Sequence, residues 1–162
     1  EVVELFDQFR DRLLRYLLSF SLTVSDSEDI IQETFLALFQ HLRRGKSRHH
    51  LRGWLFRVAH NLALKHQRAR WDLKSVPDLT RAAENFLIDS ALNPEDQFAA
   101  DQTQRRLAAV VEALPEQHRC CLYLRAEGLR YREIAEVLDM SLGAVSICLG
   151  RSLAHIARAA KR

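Results

Sequence analysis

Apolar side chains recur three and four positions apart from the start of the chain, at Leu5, Phe6, Phe9, Leu13, Tyr16, Leu17 and Phe20, while Asp7, Arg10, Asp11 and Arg15 fill the opposite positions. That is the period of an amphipathic helix, and it predicts one from Val2 to Phe20. A second stripe, Ile30, Ile31, Phe35, Leu38 and Leu42, follows Ser25-Asp26-Ser27-Glu28. Ser25 with Glu28 three positions on has the form of a capping box, which predicts a helix start at Ser25. After the loop Arg43-Arg44-Gly45-Lys46-Ser47-Arg48-His49-His50, a third helix is predicted from Leu51 to Arg70, burying Leu51, Trp54, Leu55, Val58 and Leu62. Phe56 and Arg57 lie off that face. These three helices make a first unit, residues 1–71.

Between 72 and 104 the periodicity weakens and two of the three prolines, Pro77 and Pro94, appear. This predicts a flexible linker with a short helical turn around Ala82 to Ile88. A second unit, 105–162, then opens with a helix from Arg105 to Leu114. Pro115 suits the first turn of the next helix, which runs to Glu127 and ends at Gly128. Tyr131 to Leu138, the turn Asp139-Met140-Ser141 and a last helix from Leu142 complete the pattern. Asp139 tolerates a left-handed turn, Ser141 is a good N-cap, and Ala135 lets two helices approach closely. With the seam Ile134, Leu138, Val145 and Leu149, this is a helix-turn-helix whose second helix would lie in the major groove. The expected fold is all-α: two small helical domains, the first of three helices, joined by a flexible acidic linker.

Charge sharpens this picture because it is segregated. Arg43 to Arg70 holds nine Arg or Lys and no acid, Asp72 to Arg106 holds seven acids against four bases, and Leu107 to Arg162 holds eight bases and six acids. A run of one sign over such a length points to a polyanionic partner. No apolar stretch is long enough to span a membrane, and no secretory pattern opens the chain; it begins at Glu1, so a starting Met and further residues are expected to be missing before it. Cys120, Cys121 and Cys148 have neither disulfide-framework nor metal-knuckle spacing and read as buried thiols of a reducing, cytoplasmic setting. His49, His50, His60 and His66 have no acid or cysteine to complete a metal site. Nucleophile–base pairs, paired carboxylates and phosphate-binding glycine loops are missing too, so neither an enzyme nor a cofactor is expected.

Three segments carry a resemblance to the extracytoplasmic-function (ECF) sigma factors of bacterial RNA polymerase. Asp26-Ser27-Glu28-Asp29-Ile30-Ile31-Gln32-Glu33-Thr34-Phe35 resembles the helix that grips the polymerase clamp. Leu51-Arg52-Gly53-Trp54-Leu55-Phe56-Arg57-Val58-Ala59-His60-Asn61-Leu62-Ala63 is similar to the segment that melts and reads the −10 element. Leu114-Pro115-Glu116-Gln117 with Gly128-Leu129-Arg130-Tyr131-Arg132-Glu133-Ile134-Ala135 resembles the domain that docks on the polymerase flap and reads the −35 element. The resemblance implies polymerase contacts at Asp26, Asp29, Gln32 and Glu33, three of which share one face at i, i+3 and i+7. It implies DNA contacts from the loop Arg43, Arg44, Lys46 and Arg48, whose role there is to hold a flipped base. Along the third helix, Arg52, Arg57, Lys65 and Arg68 suit phosphates and Asn61 a base edge, while Phe56 reads either as core or as a stacking platform. It further implies a linker that threads toward the polymerase cleft and control by an anti-sigma protein.

The last helix departs from that family pattern. Ser146, Cys148 and Leu153 stand where bases are usual, Ala144 replaces a frequent threonine, and Arg151 alone keeps its charge. Gly143, Ser146, Ile147 and Arg151 remain as groove-facing candidates, with Arg130 and Arg132 on the preceding helix suited to phosphates. Weakened −35 readout is therefore expected, since guanine is read bidentately by Arg or Lys. Two alternatives are a sigma-like regulator that binds polymerase but needs a targeting partner, and a stand-alone helix-turn-helix regulator.

Overall fold

A computed structural model describes residues 1–72 and 94–162, and all regular structure among them is helical. Seven helices follow in order: α1 Val2–Leu18, α2 Val24–Arg43, α3 Leu51–Asp72, α4 Pro94–Glu112, α5 Glu116–Ala126, α6 Tyr131–Leu138 and α7 Leu142–Ala160. The linker and helical turn expected before Pro94 fall on residues outside the described ones. The part expected as linker from 94 to 104 is instead the first half of α4, and proline at a first helical position is compatible with that start.

Helices α1, α2 and α3 pack on one another around Leu13, Leu17, Ile30, Ile31, Leu38 and Leu55, all fully buried. The start of α2 differs from the capping box expected at Ser25. Thr23 is the cap, its Oγ1 accepting from Asp26 N at 3.0 Å, and Glu28 pairs with Arg10 of α1. A hydroxyl two residues earlier does the same work, and the tertiary partner takes Glu28 away from the backbone.

In the second half, α4 and α5 lie against α7, and α6 packs on α5 and α7. Its local signals are met residue by residue. Gly128 adopts φ +85°, Asp139 sits left-handed at φ 52°, and Ser141 Oγ accepts from Ala144 N at 3.1 Å. The chain turns by 104° between α6 and α7, and Ile134, Val145 and Leu149 close the seam.

The two halves do not stand apart. Helix α3 lies against α6, α1 touches α5, and a single apolar cluster runs through both. Tyr16, fully buried, lies at the junction of the two halves. Its hydroxyl meets His60 Nδ1 of α3 at 2.9 Å. Phe56 packs edge-on to Tyr16 at 5.6 Å, and His60 edge-on to Phe20 at 5.3 Å. Burial pushes the Cys120 thiol up to about 11 and the Cys121 thiol to about 12, so both stay protonated.

Burial also holds His60 down at about 4, from an ordinary value of 6.5. Below pH 6.5 the unfolded chain binds a proton that the folded chain refuses, so the stability that the neutral ring supports is lost as pH falls toward 4. The full effect is about 3 kcal/mol. Urea midpoints measured across this range should fall with pH, and His60→Gln should flatten the upper part of the fall, before the carboxylates titrate.

Candidate nucleic-acid interface

The basic block of the sequence becomes a surface with two parts. The first is the loop after α2, where Arg43, Arg44, Lys46 and Arg48 are all exposed. Gly45 turns it at φ 67°, and His41 bonds the carbonyl of Ser47 at 3.0 Å. Arg43 rests over the Phe39 ring at 5.8 Å and Arg48 pairs with Glu1 at 3.0 Å. Both pairs are exposed to water, where such contacts are readily exchanged for others.

The second part is the outer strip of α3. Arg57, Asn61, Lys65 and Arg68 are exposed and follow one another at i, i+4, i+8 and i+11. They form a ladder about 16 Å long on one face. None of the three bases enters an ion pair with a described residue. The remaining bases of the helix are engaged: Arg70 with Asp26 at 3.5 Å and Arg52 with Glu133 at 3.3 Å.

Phe56 corrects one expectation. It is fully buried against Tyr16, so in this arrangement it is core and offers no face to a base. The reason is that the helix buries more of its circumference than one stripe: Phe56 and His60 meet Tyr16 and Phe20 of α1, and Ala59 and Ala63 are buried beside Leu55. Trp54 is half-buried and stacks near His41 at 4.8 Å.

On α2, Asp29, Gln32 and Glu33 are exposed as the helical spacing requires, whereas Asp26 is partly covered by Arg70. The structure adds Leu36 and Phe39, exposed at 58% and 46%, one turn beyond the acids. They fall outside the core stripe of α2, which was the one signal in the sequence that could have singled them out.

In the second half, Gly143, Ser146, Ile147 and Arg151 share the outward side of α7 and are all exposed. No atom lies within 4 Å of a Cβ added at Gly143 or Gly150. Nothing acidic lies in this helix, but its outward side carries Ile147 and Leu153, each more than half exposed, and Arg151 is the one base in its first three turns. Arg132 is exposed on α6, while Arg130 borders a cleft shared with Arg12 and Arg52 of the first half. No single helix among the described residues is long and apolar enough to cross a membrane.

Comparison with known proteins agrees with this layout. A model of sigma-70 region 2 matches residues 5–72, and one of sigma-70 region 4 matches residues 104–156. The RNA polymerase sigma-H factor of Pseudomonas aeruginosa is 30% identical over 144 residues, which cover 85% of this chain and 75% of that one. The ECF RNA polymerase sigma-E factor of Escherichia coli K12 is 31% identical over 126 residues, covering 74% and 66%. Among solved structures, the sigma factor RpoE of Bartonella quintana, in complex with the anti-sigma factor NepR, shares the fold with a TM-score of 0.65 at 19% identity, over 98% of this chain and 97% of that one. CnrH, in complex with the cytosolic domain of CnrY, does so with a TM-score of 0.63 at 24% identity, over 97% and 85%. A helix-turn-helix behind a basic three-helix unit, both matched in order by sigma-70 models, shows that the chain belongs to the sigma-70 family of RNA polymerase sigma factors, in its extracytoplasmic-function group.

Proposed function

We propose that the chain docks on core RNA polymerase through α2, opens promoter DNA with the loop 43–50 and α3, and uses α6 and α7 mainly to position the complex, with little base reading at −35. It acts where the polymerase acts, in the cytoplasm, and the chemistry of transcription stays with the polymerase. The observation that carries the reading is the exposed ladder Arg57, Asn61, Lys65 and Arg68 on α3, whose bases pair with no acid among the described residues. Three charges on one strip follow a strand of phosphates, and Asn61 between them suits a base edge. For polymerase, α2 offers Asp29, Gln32 and Glu33 beside exposed Leu36 and Phe39, an acidic patch with apolar anchors that fits a basic amphipathic helix. An anti-sigma protein, of the kind bound to the Bartonella quintana RpoE, is the expected regulator.

The weak −35 reading rests on α7. Its outward side has one guanidinium and is otherwise small or apolar, so it can meet thymine methyls but lacks the forked donors that select guanine. Arg130 and Arg132 hold phosphates without carrying sequence information.

Run-off transcription by the holoenzyme on a promoter library tests the whole reading, and transcripts sharing a −10 motif are the expected result. Replacing Arg57 or Lys65 by Ala should weaken promoter binding on all sequences alike and lower the slope of log K against log salt by about 0.7–0.9 each. Scrambling the −35 element should cost less than the roughly 1–3 kcal/mol of one good bidentate contact, as read from initiation rates on paired templates. Asp29→Lys with Glu33→Lys should weaken core polymerase binding at least about tenfold in a titration without DNA.

A further inference from the structure

The outer strip of α3 ends on an indole. Trp71 follows Arg57 at i+14 and Arg68 at i+3, which sets it within about 40° of Arg57 around the helix and about 21 Å beyond it along the axis. It is 83% exposed, more than any other large apolar side chain among the described residues. That exposure does not come from a loose helix end. One turn earlier Gln67 Nε2 donates to the Phe20 carbonyl at 3.1 Å, and Arg70 Nη1 pairs with Asp26 at 3.5 Å. The end of α3 is thereby tied to the turn after α1 and to α2, while the ring of Trp71 stands in water.

We propose that Trp71 is a stacking platform for an unpaired promoter base, at the end of α3 opposite the loop 43–50. The inference rests on the DNA-binding reading of α3 given above. Position supports it first: a strand whose phosphates follow Arg57, Lys65 and Arg68 is led directly past the ring. The chemistry agrees, because every base has a π-face that an indole can cover whatever the sequence, and a neighbouring guanidinium such as Arg68 adds to the attraction. The other tryptophan and the phenylalanine of α3 have no such face to offer, Trp54 being half-buried beside His41 and Phe56 being core.

A platform of this kind tells open DNA from closed. A paired base shows the grooves only its edges, since its faces are covered by its neighbours in the stack. Only an opened strand can therefore use Trp71, and its capture offsets part of the cost of unstacking. Leu51, next to the loop, and Trp71 are about 30 Å apart along the helix, so the opened strand is held near both ends of α3 and not at the loop alone.

The test uses the holoenzyme and two templates of one sequence, a fork whose −10 non-template strand is unpaired and the same DNA fully paired. Trp71→Ala should weaken fork binding about 5- to 150-fold, the range for losing one base stack, and leave binding of the paired template nearly unchanged. The slope of log K against log salt should stay as it was, because no phosphate contact is lost, whereas Arg57→Ala should lower it. Trp71→Phe should recover most of the affinity and Trp71→Leu little. Recovery by Leu overturns the proposal, since an apolar contact would then suffice. So does an equal loss on both templates, or a loss of core polymerase binding measured without DNA. Fork binding that ignores Trp71→Ala but responds to Arg57→Ala overturns the platform and leaves the ladder standing. Fork binding that ignores both substitutions shows that the DNA-binding reading of α3 has itself failed.

Discussion

The double burial of α3 is the constraint on which the rest of this molecule depends. One side of the helix packs on α1 and α2, another on α6, and the buried positions Leu55, Phe56, Ala59, His60 and Ala63 take up both. What remains in water is a strip carrying Arg57, Asn61, Lys65 and Arg68. A helix that buries so much of its circumference concentrates its charge on what is left. The basic block is thereby gathered into a ladder, and not spread around a cylinder. The same burial sets the cost of the polar atoms at the centre: the Tyr16 hydroxyl and His60 Nδ1, both buried, satisfy one another at 2.9 Å.

The parts that were legible in the sequence are those whose cause is local. Gly128, Asp139 and Ser141 are each dictated by the backbone conformation at their own position, and all three take the roles their residue types suggest. The core stripes of α1 and α2 were legible for the same reason, since the helical period alone separates Leu13, Leu17, Ile31 and Leu38 from their charged neighbours. The cap of α2 was a contest between two hydroxyls two residues apart. Thr23 prevails there, and Glu28 goes to Arg10, a partner 18 residues away in the chain. Phe56 and His60 were hidden for a stronger reason. Periodicity reveals that a helix has a buried face but cannot reveal a second one, where Phe56 and His60 meet Tyr16 and Phe20 of α1. Glu127 and Glu133 were equally invisible, because nothing near them in the chain names Arg12 or Arg52 as their partners.

Charge pairing sorts the bases more finely than charge counting. Of the bases on α3, Arg52 and Arg70 are held by acids of other helices, whereas Arg57, Lys65 and Arg68 pair with no acid among the described residues. On α2 the sorting is parallel, for Asp26 is spent on Arg70 while Asp29 and Glu33 stay in water. Residues held in tertiary ion pairs contribute to the shape of the chain. Residues left over are the ones a partner can reach without first breaking something. That criterion supports the proposed use of the ladder on α3 and the acids of α2 as primary contact surfaces, with Arg52 a conditional one.

The sparse charge on α7 makes sense in a chain whose domains are tied together. A free recognition helix must find its element by its own affinity, so each lost guanidinium lowers occupancy directly. On the proposed docking through α2, a helix delivered to DNA by the polymerase works at a high effective concentration, and modest contacts then suffice to keep it in place. Under that condition selection falls on the surface that opens the duplex, because melting is the step whose cost depends on sequence and must be offset by captured bases. The smooth outward side of α7, with Gly143 and Gly150 open to solvent, is then free to follow the groove without choosing among base pairs. On the proposed reading, Arg151 and the bases of α6 are enough to hold a position that other contacts have already selected.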